Sequence, residues 1–132
     1  CKDKKYGTGY STILLADTGE RTVLVYRGAA SNLTLKEVSK DKLRCRWAYI
    51  APGAINFFVM ENIINTLYKN GAKIAIDLSG HYLSMGRKKL ESILNKLTLV
   101  KGNREEIGIL MEMDLTSMEQ MPWISQLLII QY

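Results

Sequence analysis

Residues 97–106 read LTLVKGNREE, and this junction between a strand and a helix decides the fold. A short apolar run ends in a glycine, and Asn103 and Glu106 then stand three residues apart at the start of a helical pattern. The spacing is an Asn version of the capping box, in which each residue satisfies a backbone N–H group of the other. The same atoms suit a second role, because a helix N-terminus attracts phosphate and a carboxylate one turn in can hold hydrated Mg²⁺ through water. The pattern alone leaves both roles open.

Strand and helix patterns alternate on both sides of this junction. Trp47–Ala51 and Lys73–Leu78 are predicted strands, and the segment between them has the spacing of an amphipathic helix that ends at Asn70-Gly71. The apolar face of that helix holds Phe57, Met60, Ile63, Ile64, Leu67 and Tyr68. The pattern then predicts a helix over Met85–Leu97, a strand over Thr98–Val100, a helix from Asn103 to about Met113, a capped turn over Thr116–Glu119 and a strand over Leu127–Tyr132. This alternation predicts an α/β fold with a parallel sheet and right-handed crossovers.

The beginning of the chain has a different pattern. Ser11–Ala16 and Arg21–Arg27 are rich in β-branched and apolar residues, and the turn-forming residues 17–20 join them. This pattern predicts a β-hairpin. A loop of small residues follows, and the capping box at Thr34–Glu37 predicts a short helix.

Composition limits the class of protein. The chain has 132 residues, 47% hydrophobic and 23% charged, which is enough for one globular domain with a core. Its apolar runs fall short of the roughly 18–20 residues that a membrane span needs. Two cysteines and one histidine cannot form a four-ligand zinc site alone. A disulfide framework would usually contain more cysteine pairs, so a reducing, cytoplasmic setting is expected. Residue 1 is cysteine and no signal region follows it, which indicates an excerpt or a processed product.

The net charge of +5 comes from scattered basic clusters with acidic residues among them. Aromatic residues are not interleaved with these clusters as stacking platforms, which argues against nucleic-acid binding. The basic clusters are expected to form solvated faces or to contact an anionic small ligand.

Three loops are candidate ligand sites, because ligands of parallel sheets bind beyond the carboxyl ends of the strands. They are Pro52-Gly53, Ser79-Gly80-His81 and Lys101-Gly102-Asn103, and each contains a glycine that either admits a ligand or serves a tight turn. His81 is expected to be a loop residue that forms hydrogen bonds, with a catalytic residue as the alternative. Cys45, which lies between two arginines, is expected to be a half-buried structural thiol, with a reactive thiol as the alternative.

The order of motifs resembles the ribokinase family of sugar kinases, also called the PfkB carbohydrate-kinase family. The matching motifs are Thr8-Gly9, the Gly-Glu-Arg-Thr turn at Gly19–Thr22, Gly28-Ala29 and Asn-x-x-Glu at Asn103–Glu106. The resemblance implies a ribokinase-like fold: a partial three-layer αβα arrangement with a parallel sheet, preceded by a β-hairpin that belongs to a lid. Residues 1–33 would form the lid hairpin and its connecting loop, and residues 34–132 the central, incomplete α/β portion of the kinase domain.

The resemblance also implies the site residues. Asn103 and Glu106 would bind the phosphates of ATP, with Glu106 holding Mg²⁺ through water. The residues facing the phosphoryl acceptor would be Ser11, Ile13, Val25 and Gly53. Because some similar sugar kinases have a glutamate where this chain has Gly53, ribose is in doubt as the acceptor. Asp77-Leu78-Ser79-Gly80 is similar to the nucleoside-kinase branch.

The late Gly-Ala-Gly-Asp stretch of the family, which supplies the catalytic aspartate, does not occur among these residues. The general base is therefore expected outside this chain, which should not catalyse phosphoryl transfer alone. The main hypothesis is a segment of an ATP-dependent kinase that phosphorylates a sugar or a nucleoside. The alternative is a noncatalytic module that binds a ligand or forms a homodimer through the lid hairpin.

Overall fold

A β-hairpin begins the fold, as the sequence predicts. A computed structural model of the chain describes residues 3–112 and 127–129. Strands β1 (Tyr10–Leu15) and β2 (Arg21–Tyr26) pair antiparallel, with Ser11 opposite Val25. The turn is closed by two backbone hydrogen bonds, from Ala16 N to the Glu20 carbonyl at 2.8 Å and from Gly19 N to the Ala16 carbonyl at 2.9 Å.

The structure at the base of the hairpin explains why the Thr8-Gly9 and Gly28-Ala29 motifs contain glycine. Gly28 has φ +51°, and a Cβ at this position would lie 2.3 Å from the carbonyl oxygen of Gly7. A Cβ at Gly9 would lie 2.6 Å from the carbonyl oxygen of Arg27. The two chain segments therefore cross in backbone contact, which only residues without a side chain permit. The Ala29 N–H group donates to the Gly7 carbonyl at 2.9 Å and fixes the crossing.

Three short 3₁₀ turns connect the hairpin to the sheet, at Gly28–Asn32, Leu35–Glu37 and Lys40–Leu43. The predicted capping box is present at the second turn, where the Thr34 N–H group donates to Glu37 Oε2 at 2.8 Å. The helix that it opens is a single 3₁₀ turn.

The sheet confirms the predicted α/β fold class and corrects one strand direction. Strands β3 (Trp47–Ile50), β4 (Lys73–Asp77) and β5 (Leu99–Lys101) are parallel, whereas β6 (Leu127–Ile129) is antiparallel to β5. The order is β3-β4-β5-β6. The parallel direction predicted for the last strand was wrong, because it rested on the helix–strand alternation alone. A strand with one neighbour satisfies its ladder of hydrogen bonds in either direction. The predicted turn over Thr116–Glu119 and residues 130–132 lie outside the described residues.

Helices follow the strands. Helix α1 spans Phe57–Lys69, α2 spans Gly80–Leu83, α3 spans Arg87–Leu94 and α4 spans Arg104–Met111. The prediction of one helix over Met85–Leu97 was too long, because both end residues pack against the core without being helical. The spacing of apolar residues shows which residues are buried. When the turns beside a helix also place apolar residues in the core, the helical spacing extends beyond the helix itself. The short α2 was not predicted.

The core lies between the helices and one face of the sheet. Ile74, Ile76 and Val100 from the strands form one cluster with buried residues of α1, α3 and α4. On the edge strand β3, Trp47 and Tyr49 point to the opposite side and are 49% and 61% exposed. The helices thus cover one face, and the carboxyl ends of the parallel strands meet at one edge.

Candidate functional site

Two of the three predicted ligand loops are joined directly at the carboxyl edge of the sheet. The Ser79 hydroxyl, after β4, donates to the carbonyl of Gly53, after β3, at 2.8 Å. Gly53 has φ +60°, a left-handed backbone conformation that favours glycine. The loop after Gly53 is held by a second bond, from the Tyr82 hydroxyl to the Ile55 carbonyl at 2.7 Å.

Tyr82 is a supporting residue that the sequence analysis missed. Its side chain is fully buried, and burial raises its pKa to about 12, an effect that the positive charge of Arg27 opposes. The phenol therefore stays protonated and keeps its hydrogen bond to the loop. A tyrosine within a short helix gives no sequence signal for this role, because its acceptor, Ile55, lies far away in the chain.

The third loop forms the start of α4, where the capping box is complete. The Asn103 side-chain oxygen accepts from the Glu106 N–H group at 2.8 Å, and Glu106 Oε2 accepts from the Asn103 N–H group at 2.8 Å. Among the described residues, this bond uses one carboxylate oxygen of Glu106 and leaves Oε1 without a donor. The structural role predicted for this pair is therefore present. It does not exclude the ligand role, which stays a prediction.

An ion pair lies beside this capping box and was also missed. Asp77 ends β4 and Lys101 ends β5, and the two residues are opposite each other in the strand register. Lys101 Nζ donates to Asp77 Oδ2 at 2.9 Å, and the Tyr49 hydroxyl donates to the same oxygen at 3.0 Å. The sequence feature that could have predicted this ion pair is the presence of opposite charges at the ends of two strands predicted to be neighbours.

The charges of this network bias its protonation. The hydrogen bond from Lys101 lowers the pKa of Asp77, and the same bond raises the pKa of Lys101. The bond to Asp77 likewise raises the pKa of Tyr49. Asp77 is therefore held as a carboxylate and Lys101 as an ammonium.

A cleft of about 270 Å³ brings these groups together, and we call it the α4 cleft. It is lined by Asp77, Lys101, Gly102, Asn103 and Glu106. An ammonium group and a helix N-terminus attract a phosphate, and a carboxylate beside them can bind the hydration shell of a cation that accompanies the phosphate. Among the described residues, no group of three or more His, Cys, Asp or Glu side chains could hold a metal ion alone. The residues thus fit Mg²⁺ only as an ion shared with phosphate and water.

A second, larger cleft of about 1070 Å³ lies between the hairpin and the edge of the sheet, and we call it the hairpin cleft. Three predicted acceptor residues, Ser11, Val25 and Gly53, line it. Ile13 does not line it in the part of the chain that the structure describes. It shares a face with Ser11 but lies nearer the hairpin turn, opposite Val23, and is 62% exposed.

Two further residues with predicted roles, Cys45 and His81, are both exposed. Cys45 is exposed and lines the hairpin cleft, so the predicted half-buried thiol was wrong. It belongs to the stretch 44–46 before β3, in which all three residues are exposed. His81 is exposed too, but it lies within α2, so the loop position predicted for it was wrong. Its ring packs edge-on against Tyr82, with the ring centroids 5.1 Å apart. Within residues 3–112 and 127–129, no helix has both the length and the apolar character needed to cross a membrane.

The parallel sheet, the helices behind it and the hairpin beside its carboxyl edge define a ribokinase-like α/β protein. The sequence matches the model of the pfkB family carbohydrate kinases over residues 1–127, so the chain belongs to this family.

Among solved structures, one described as "Crystal Structure of Sa239" is similar in fold, with a TM-score of 0.62 and 17% sequence identity. The match covers 89% of this chain and 39% of that structure's chain. A search of curated proteins finds no match.

Proposed function

We propose that these residues form part of an ATP-dependent kinase that transfers the γ-phosphoryl group to a hydroxyl of a sugar. The α4 cleft carries the proposal, because it combines an ammonium, a helix N-terminus and a carboxylate at the carboxyl edge of the sheet. Phosphoryl transfer depends mainly on positioning and on electrostatic stabilisation of phosphate oxygens. Membership of the pfkB family supports the same reaction.

In the proposed site, phosphate oxygens of ATP accept hydrogen bonds from the side-chain NH₂ group of Asn103 and from those backbone N–H groups in the first turn of α4 that the capping box does not use. Lys101, held by Asp77, adds a positive charge. Glu106 holds the water shell of Mg²⁺ through Oε1 while Oε2 keeps the cap. Mg²⁺, when bound, neutralises charge on the phosphate oxygens. We assign no general base to this chain and expect that residue outside it.

The hairpin cleft is the proposed acceptor site. Ser11, Val25 and Gly53 line it, and residues 1–33 would act as a lid over the acceptor. Ile13 would reach the acceptor only if the hairpin closed further. The alternative acceptor is a nucleoside, since Tyr10 and Tyr26 lie at the cleft with ring centroids 5.3 Å apart and could stack on a base.

The test is ATP-dependent phosphorylation by the protein made from the complete gene, with this 132-residue chain assayed in parallel. A panel of sugars and nucleosides serves as acceptors, with and without Mg²⁺. Turnover of a sugar by the complete protein supports the proposal, and turnover of nucleosides alone supports the alternative. Turnover of neither, with folded protein, contradicts both. It would favour a noncatalytic module that binds a ligand or assembles through the hairpin.

We also propose that the hairpin joins two copies of this chain. The hairpin exposes apolar side chains on both faces, among them Ile13 at 62%, Leu15 at 73% and Leu24 at 54%. Contiguous apolar surface of this kind marks interaction sites. Light scattering over a concentration series should show a dimer. Leu24→Lys should shift it towards monomer, whereas Thr22→Lys, on the same face of β2, should have a smaller effect.

A further inference from the structure

The segment that follows β4 is hydrogen-bonded to the loops on both sides of it. The Leu78 N–H group donates to the Lys101 carbonyl at 3.3 Å, which ties the segment to the end of β5 beside the α4 cleft. On its other side, the segment donates two side-chain hydrogen bonds to the loop after β3, where Gly53 lines the hairpin cleft. The segment therefore connects the backbone of one cleft to the backbone of the other.

The first of the two side-chain bonds uses a hydroxyl that would ordinarily serve its own helix. Ser79 is the N-cap of α2, and a serine at this position usually accepts a hydrogen bond from an N–H group of the first turn. Here its side chain forms no cap hydrogen bond, and its hydroxyl donates to the Gly53 carbonyl at 2.8 Å. Because glycine can adopt several backbone conformations, this bond helps to select the one observed, with φ +60°.

The second bond comes from the core. Tyr82 is fully buried, and its hydroxyl donates to the Ile55 carbonyl at 2.7 Å. Leu78 and Leu83 of the same segment are buried too. The segment that donates both bonds is thus packed in the core, whereas the loop that accepts them contains a glycine with wide conformational freedom. The segment after β4 therefore determines where the loop after β3 lies.

We propose that Ser79 and Tyr82 are positioning residues, which hold the loop after β3 so that an acceptor in the hairpin cleft faces the phosphate bound in the α4 cleft. The inference rests on the proposed function, because it needs a nucleotide in one cleft and an acceptor in the other. Neither residue is among the described residues that line the two clefts, so both act through the loop. A displacement of about 1 Å between reacting groups can cost about 100-fold in rate, so loss of either bond should be visible in turnover.

A split between turnover and nucleotide binding tests the proposal. Variants of the protein made from the complete gene are assayed with the acceptor that the phosphorylation panel identifies. Binding of the nonhydrolysable ATP analogue AMP-PNP with Mg²⁺ is measured by calorimetry. We expect Ser79→Ala and Tyr82→Phe each to lower kcat by about tenfold or more, with the affinity for AMP-PNP within about threefold of the native value. Misalignment of the clefts costs rate, while the α4 cleft itself is unchanged.

Matched controls separate positioning from a general effect of losing a hydroxyl. Ser84→Ala removes a hydroxyl that donates to the His81 carbonyl at 2.9 Å, in the same segment but outside the described lining of both clefts. Tyr68→Phe removes an exposed tyrosine hydroxyl from α1, the helix after the loop. Both controls should keep kcat within about twofold of the native value. Ser79→Thr, which retains a hydroxyl, should keep more activity than Ser79→Ala.

The loop itself reports the two bonds without catalysis. Hydrogen exchange of the amides of residues 53–56 should be faster in Ser79→Ala and in Tyr82→Phe than in the native protein, and unchanged in the two controls. Because both bonds are needed to hold one loop, the double variant should lose less kcat than the product of the two single losses. Thermal unfolding checks that every variant folds.

The outcomes separate this inference from the proposed function. If the native protein turns over an acceptor, an unchanged kcat in Ser79→Ala or in Tyr82→Phe would overturn the inference for that residue and leave the kinase standing. A fall in kcat that is matched by the AMP-PNP affinity or by the folded fraction would overturn it as well, because it would show a general loss of structure. No turnover of any acceptor by the native protein would contradict the kinase and the inference together.

Discussion

Glu106→Gln separates the two roles of the α4 capping box. Glutamine can accept the Asn103 N–H bond, now 2.8 Å long, through its amide oxygen, so the cap should survive. What is lost is the negative charge near the helix N-terminus, which contributes about 0.3–1 kcal/mol to stability. Against a total of roughly 5–15 kcal/mol, the variant should fold. If Glu106 orders the water shell of Mg²⁺, activity or metal affinity should fall by about 10- to 100-fold.

The assay follows turnover of the protein from the complete gene across a Mg²⁺ titration, with denaturant unfolding measured on the same samples. Glu105→Gln is the matched control, because it removes the same charge from the same helical turn at a residue that does not line the α4 cleft. We expect a higher Mg²⁺ requirement for Glu106→Gln alone. An equal effect in both variants, or a loss of activity that only follows the folded fraction, would refute the magnesium role and leave the cap as the whole explanation.

Three further predictions concern stability. Gly28→Ala should destabilise the hairpin by about 1–3 kcal/mol, because Gly28 has a left-handed backbone conformation and the new Cβ would clash with the Gly7 carbonyl. Gly7→Ala is the control: there is open space around Gly7, so stability should change by less than about 0.5 kcal/mol. Hydrogen exchange of the hairpin amides measures both effects. The raised pKa of Tyr82 means that the folded state holds its proton more tightly, so this contribution is complete below the ordinary pKa of 10.0 and is lost as pH rises towards about 12. Urea unfolding across that range should show the loss in the native protein and less of it in Tyr82→Phe. The lowered pKa of Asp77 gives the opposite pH dependence of stability. Its contribution, less than about 1 kcal/mol for an exposed pair, is present above pH 3.8, the ordinary pKa of the group, and is lost as the pH falls below that value. Asp77→Asn should remove this acid dependence of unfolding.

Local patterns predicted most of the elements because their causes are local. The hairpin follows from two runs of β-branched and apolar residues around a tight turn, and α1 follows from one apolar face and the stop at Asn70-Gly71. The structure adds an N-cap at Asn56, whose side chain accepts from the Phe58 N–H group at 2.9 Å. The capping box at Asn103 was readable for the same reason. Each of these features depends on residues within a few positions of one another.

The features that the sequence did not reveal depend on distant residues. Asp77 and Lys101 meet only because β4 and β5 pair in one particular register. Arg27 lies beside Gly53 in the hairpin cleft only because the hairpin returns to the loop after β3. The direction of β6 is likewise a property of the pairing rather than of the strand. The sequence shows that Asp77, Lys101 and Arg27 are charged, but only the fold determines which residues they contact.

The two clefts differ in the charged side chains that line them. The α4 cleft contains an ammonium with two carboxylates, Asp77 and Glu106, which suits a phosphate chain bound together with a cation. The hairpin cleft is lined by Arg27 and Lys42 and, among its described lining residues, by no carboxylate, so it lacks the kind of side chain that would hold a hydrated Mg²⁺ in the α4 cleft. The Ser79–Gly53 hydrogen bond joins the loops between the two clefts. Under the proposed function, this difference favours nucleotide and metal at α4 and the acceptor under the hairpin, because the carboxylates of the α4 cleft would repel a phosphate that arrived without a cation.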